Sequence, residues 1–279
     1  MHLLDFSLVA FAASVVFGLL GSLLGLGGGV FVVPMLTLGL GLDIHDAIGA
    51  SIVTVIATSS GAAATYVRDH LTNIRVAMFL EMATTTGAIT GAFLSGIIPA
   101  RYLYIIFAAL MGWSALNALQ KSRGTPPEPR QASPLARRLK LQGSYYDAAL
   151  GRQVEYAATA VPQGFGMMYV AGLISGLLGI GSGALKVLAM DGFMRLPLKV
   201  SSATSNFMMG VTAAASAAIY FARGDIRPET TAPVALGVLL GASLGSLVLT
   251  RIRNRTLRLI AVPILLFIGV EMLLRGLGG

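Results

Sequence analysis

Glu81, Lys186 and a set of hydroxyl and amide side chains (Ser51, Ser182, Ser205 and Asn206) are the residues whose types can do chemistry in an otherwise apolar chain. An ammonium among apolar residues needs an anionic partner or an anionic substrate. The plainer reading of Lys186 is a lysine that snorkels to the interface or pairs with a carboxylate. Glu81 lies inside a long apolar run, where an acid is by default a candidate proton carrier; the alternative is an ion pair with Lys186 or with a loop arginine. Hydroxyls and amides donate hydrogen bonds without full charge, which suits a weakly held oxyanion. They serve equally to bond packed helices to one another.

Two glycine-rich breaks complete the set. Gly25–Gly29 contains Gly27, Gly28 and Gly29, and Gly179–Gly183 contains Gly181, Ser182 and Gly183. Glycine lets a ligand approach the backbone closely. The half-helices expected to start at Val30 and Ala184 aim their free amides and positive dipole ends into each break. Together these residues describe a substrate-binding site for a small inorganic or organic anion, with Glu81 as a proton-coupling group. No nucleophile–base pair, phosphate loop or dinucleotide fingerprint accompanies them, so the expected function is not enzymatic. His2, His45 and His70 lack metal-ligand spacing and there is no cysteine, so neither a metal nor another cofactor is expected.

These groups must be positioned by membrane helices. The chain has 279 residues, 55% hydrophobic and 11% charged, with a mean hydropathy of +0.78. A soluble domain carries about 25% charged residues, so a lipid bilayer must solvate this one. The expected class is an all-α polytopic membrane protein. The net charge of +8 follows the positive-inside rule better than a nucleic-acid partner, because the basic residues fall in short gaps between apolar runs. Met1 to Ser7 carry no Lys or Arg, so the first apolar run is read as retained rather than as a signal peptide.

The chain also repeats itself. Gly18–Gly29 resembles Gly172–Gly183 at a shift of 154 positions (172 − 18). The same shift carries Ser51 onto Ser205, Thr58 onto Thr212, Tyr66 onto Tyr220, and Gly87 and Gly91 onto Gly241 and Gly245. Lys186 and Glu81 fall outside this shared scaffold, since their counterparts are Val32 and Ala235. Ser51, Thr54 and Thr58 share one helical face, as do Ser205, Thr212 and Ser216, with Asn206 beside them. Each half reads as an apolar run, a glycine break, a short apolar piece and three long helices. If each broken pair dips in and returns, Arg68, Arg75, the basic linker, Arg195, Lys199 and the arginines from Arg251 to Arg258 all lie inside. A single crossing puts the last two groups outside, against the positive-inside rule. The expectation is therefore two inverted repeats, each a glycine-broken re-entrant helix pair plus three transmembrane helices. The boundaries are 1–120 for the first repeat, 121–160 for a cytoplasmic linker and 161–279 for the second. The Gly124–Pro129 stretch within the linker excludes a helix interior there.

The segment Gly18 to Pro34, its echo Gly172 to Gly183, and the short Gly49-Ala50-Ser51 and Ala203-Thr204-Ser205 segments resemble the sulfite exporter TauE/SafE family of permeases. So does the placement of the halves around a linker with Tyr145, Asp147, Arg152 and Tyr156. The resemblance implies secondary transport, usually export, of sulfite or an organosulfonate across the inner membrane. Ser182 and Lys186 depart from the family pattern where an anion would bind. A homodimer is compatible with this reading. Two other classes stay open: a passive anion channel, and a non-transporting membrane component that anchors a partner through Tyr145, Tyr146 and Tyr156.

Overall fold

The computed structural model describes residues 3–24, 28–68, 71–120, 133–147, 151–249 and 254–278. Gly27, the Gly124–Pro129 stretch, His2, His70, Arg251 and Arg253 fall outside them. The described chain is almost entirely helical: α1 (Leu3–Leu24), α2 (Gly29–Pro34), α3 (Ile44–Arg68), α4 (Ile74–Ser95), α5 (Ala100–Gln120), α6 (Pro134–Arg138), α7 (Val161–Leu178), α8 (Gly183–Val187), α9 (Leu198–Arg223), α10 (Pro228–Leu249) and α11 (Asn254–Gly278). A hairpin of β1 (Gln142–Asp147) and β2 (Arg152–Ala157) is the one sheet among the described residues.

Local chemistry sets these boundaries. Asn73 caps α4 by accepting from the Val76 amide at 3.0 Å. Gly179 ends α7 in the left-handed region at φ 67°, returning its N–H to the Ser175 carbonyl. Both short helices loosen into π-helical turns, Met35–Gly39 after α2 and Leu188–Phe193 after α8. Such turns are rare and concentrate at functional sites. The 18 residues of α7 make it the shortest of the long helices; at about 1.5 Å per residue it still reaches about 27 Å. Leu8, Met78, Phe93, Leu236 and Phe267 turn outward into exposed positions, as a lipid-facing surface requires.

The helices pack through glycines, without side chains between the backbones. A methyl group added at Gly87 or Gly91 of α4 would overlap the carbonyl oxygens of Tyr169 and Leu173 on α7. Reciprocally, Gly172 and Gly176 of α7 abut the carbonyls of Thr84 and Ala88. Residue numbers climb together along both helices, so α4 and α7 run parallel. The same interface recurs between α10 and α1, where Gly237 abuts the Phe11 carbonyl and Gly241 that of Val15. The 154-residue shift maps α4 onto α10 and α1 onto α7, so the two interfaces exchange partners. In contrast, α5 and α11, counterparts of each other, run antiparallel: Gly269 faces Ala108 and Met111, and Gly276 faces Arg101 and Tyr104. Close glycine contact of this kind suits membrane helices, which gain no hydrophobic drive from one another.

The linker proves more structured than its composition suggests. Ser133 caps α6 by accepting from the Ala136 amide, and the hairpin aligns Asp147 with Arg152 and Tyr145 with Val154. Ala136, Leu141 and Ala158 join Val76, Ala77, Leu80 and Met194 in one buried apolar cluster. The Asn73 amide group donates to the Tyr156 hydroxyl at 3.0 Å, and the Asn73 backbone N–H donates to Thr204 at 3.1 Å. Burial raises the ionisation of the Tyr156 phenol above its ordinary value, and the Asn73 hydrogen bond opposes that rise.

Candidate functional site

Gly29, which closes the first break, meets Gly179, which opens the second. Ser51, on α3, donates to the Gly179 carbonyl at 2.7 Å and reaches the Gly29 carbonyl at 3.2 Å. One hydroxyl therefore ties the start of α2 to the end of α7. Ser205, its counterpart on α9, donates to the Gly183 carbonyl at 3.2 Å. Each serine has a single proton, and in this arrangement both protons go to backbone carbonyls. Thr54, Thr58 and Ser216 bond back to their own helices, and Asn206 donates to the Ser202 carbonyl one turn earlier. The polar stripes thus mostly satisfy the helices that carry them.

Space around the breaks is tight. A methyl added at Gly29 would lie 2.8 Å from each of Gly179 O, Ser51 Oγ and Val55 Cγ2. At Gly28 it would lie 2.6 Å from Val238, and at Gly183 it would lie 3.0 Å from the Met209 sulfur. The second break is also strained: Gly181 has φ 72° and Ser182 has φ 44°, a conformation that costs a non-glycine residue about 1–2 kcal/mol. The Ser182 hydroxyl is buried and has no hydrogen-bond partner among the described residues. Its residue lines a cavity of about 20 Å³ with Val30, Ser114, Ile180, Gly183 and Leu185. That volume holds about one water, too little for a sulfonate-sized anion.

Lys186 sits one turn beyond Ser182 and is fully buried, but it is not among the residues lining this cavity. Its Nζ donates to Thr212 Oγ1 at 2.7 Å, and Thr212 Oγ1 lies 2.6 Å from Glu81 Oε1. Thr85 donates to the same Glu81 oxygen at 3.0 Å. The sequence marks Lys186 and Glu81 by residue type and offers their pairing as one alternative. Thr212 as their bridge, and Ser114 at the cavity, needed the fold, because they come from helices distant in the chain.

Charged groups close the end of the molecule formed by the start of α3. Arg227 pairs with Asp46 at 3.3 Å, and Arg223 reaches Asp225, the Ala92 carbonyl and the Tyr220 ring. His45 contacts Asp43 at 2.9 Å and the Ser95 carbonyl at 3.1 Å. Burial alone raises the Asp43 carboxyl, but hydrogen bonds from the His45 amide and ring outweigh it and hold the group below its usual value. Among the described residues no group of His, Asp or Glu has a metal-binding arrangement.

The family model for the sulfite exporter TauE/SafE family matches residues 10–272. The chain belongs to that family. It is 25% identical over 280 residues to the probable membrane transporter protein YunE of Bacillus subtilis (strain 168), covering 96% of this chain and 99% of that one. A probable membrane transporter protein of Xylella fastidiosa (strain 9a5c) is 26% identical over 262 residues, covering 90% and 91% of the two chains. No solved structure matches. Family membership makes this TauE/SafE chain a membrane protein of a transporter family, and the second glycine break, Gly179 to Gly183, is one place in it where non-helical backbone lies buried within protein.

Proposed function

We propose that the chain is a secondary transporter carrying a small sulfur-containing oxyanion, sulfite or an organosulfonate, across the inner membrane in the export direction. It works by alternating access at a site between the two breaks. The observation that carries this reading is the Ser51 bridge, which joins both breaks beside the unpartnered Ser182 hydroxyl. Amides of Gly28, Gly29, Ser182 and Gly183 hold the oxyanion, with Gly181 giving the backbone room. Ser51, Ser205 and Asn206 turn toward it once the breaks separate. Lys186 supplies charge, and Glu81 couples transport to protons. A cavity with room for about one water fits an occluded state between two open ones.

In this reading the halves are inverted repeats with re-entrant broken pairs. Support comes from helix direction. If long helices alternate direction across the membrane, α5 and α11 run antiparallel only when α7 enters and α8 returns on one side. The parallel course of α1 and α10 requires the same of α1 and α2. The linker then lies in the cytoplasm with most of the basic residues.

The test is uptake of labelled sulfite into proteoliposomes by the wild-type protein and by correctly inserted Gly29→Leu and Gly183→Leu variants. Saturable wild-type uptake, lost in both variants, is the expected result. Normal transport by the variants would overturn the site, and immobility of both sulfite and methanesulfonate would overturn the function. Single-channel currents would favour the passive channel.

A further inference from the structure

The bridge from Lys186 through Thr212 to Glu81 exists once per molecule. Its counterparts in the other half are Val32, Thr58 and Ala235, of which Thr58 bonds to its own helix. It also joins the halves, since Glu81 belongs to α4 while Lys186 and Thr212 belong to α8 and α9. A lysine ammonium only donates, so Thr212 accepts from it; the single Thr212 proton has two acceptors in reach, Glu81 Oε1 at 2.6 Å and the Met208 carbonyl at 2.9 Å, and the closer, charged carboxylate takes it. Glu81 Oε2 is buried and has no hydrogen-bond partner among the described residues. Lys186 is wholly buried, and a buried ammonium requires a negative charge nearby.

We infer that Glu81 is the resident counter-ion of Lys186, that a monovalent substrate anion takes its place, and that one proton adds to Glu81 for each anion bound. The inference rests on the transport reading above. With the site empty, Lys186 and Glu81 sum to zero charge. An anion added to that pair leaves one uncompensated negative charge in a low-dielectric interior, which is costly. A proton from water, forming an O–H bond at the unpartnered Oε2, restores neutrality and breaks no bond in the protein. Thr212 continues to donate to Oε1, so the bridge survives while the ammonium turns its charge to the anion. Lys186 N–H bonds to the Ser182 carbonyl at 3.0 Å, so the same short helix links the charged group to the cavity. Release reverses both steps. The cycle carries one proton with one anion and no net charge, in whichever direction the summed gradients run.

Other titratable groups on the surrounding elements are otherwise engaged or remote. On α7, Tyr169 donates to Thr90. On α9, Tyr220 donates to the Gly176 carbonyl and Arg223 to Asp225, while Lys199 lies about three and a half turns from Thr212. Arg75 is exposed near the start of α4, and Asp191 follows α8 in the π-helical turn.

The experiment uses the full chain in proteoliposomes with labelled methanesulfonate, a strong acid that stays monovalent, and an entrapped pH dye. Expected for the wild type is one proton per anion, acceleration by an inward proton gradient, and indifference to membrane potential. Glu81→Gln is expected to move the anion without protons and to become sensitive to potential. Wild-type anion movement without protons, or proton movement retained in Glu81→Gln, overturns the inference and leaves the transport reading standing. No movement of either methanesulfonate or sulfite overturns both. The wild-type stoichiometry needs no variant, so a Glu81→Gln protein that fails to fold still leaves the proposal refutable.

Discussion

Removing Lys186 tests the physics of the buried bridge without any transport assay. Lys186→Met keeps the length and apolar stem of the side chain but deletes the donor that meets Thr212 at 2.7 Å. Among the described residues Glu81 then keeps the hydroxyls of Thr212 and Thr85, with no opposite charge bonded to it. Breaking a buried pair by removing one partner costs about 3–5 kcal/mol, because the remaining charge stays desolvated. Deleting both charges leaves no orphan, so Lys186→Met combined with Glu81→Gln is expected to be more stable than Lys186→Met alone by at least about 2 kcal/mol. Thermal unfolding of the purified protein in detergent reads this order. At about 2–4 °C per kcal/mol, the single variant falls by about 6–20 °C and the double variant recovers at least about 4 °C. If the two losses simply add, the residues are not a charge pair and the reasoning fails.

Three further outcomes follow from the packing. Gly176→Ala places a methyl on the Ala88 carbonyl, whereas Gly166, on the same helix, has open space around it; the first is expected to lose about 1–3 kcal/mol and Gly166→Ala to lose nothing measurable, by the same melts. Gly29→Ala should abolish sulfite uptake through its clash at 2.8 Å with the Gly179 carbonyl, Ser51 and Val55, and Gly39→Ala, with nothing within 4 Å, should leave uptake unchanged. Tyr156→Phe should loosen the linker by about 1 kcal/mol, read as faster proteolysis between α6 and β2. Because folding raises the Tyr156 ionisation, its contribution is fully present below about pH 10 and is lost as pH rises through the raised value; the Phe variant should lack that alkaline loss.

Much of this was readable along the chain. The apolar runs, the glycine breaks and the repeat are local patterns, and the pairing of Gly87 and Gly91 with a neighbouring helix follows from small residues spaced one turn apart. The folded hairpin in the linker was not legible, because its residues are polar and its stability comes from Asn73 and the apolar end of α4, which lie far away in sequence. Ser51 and Ser205 read in the sequence as hydroxyls for an anion, but spacing cannot tell that their protons go to the Gly179 and Gly183 carbonyls. Hydrogen-bond partners from other helices have no signature in one-dimensional periodicity.

By itself the sequence determined what the protein must be solvated by, where its helices break, and which two charged residues are out of place in an apolar interior. Those properties depend on composition and near-neighbour spacing, which transfer free energy and backbone sterics read directly. Only the tertiary structure decided that Lys186 and Glu81, 105 positions apart (186 − 81), share one threonine, and that the two breaks are joined by Ser51. A buried charge selects its partner by distance in space, and that distance is set where α4, carrying Glu81, and α8, carrying Lys186, both pack against α9, which carries Thr212.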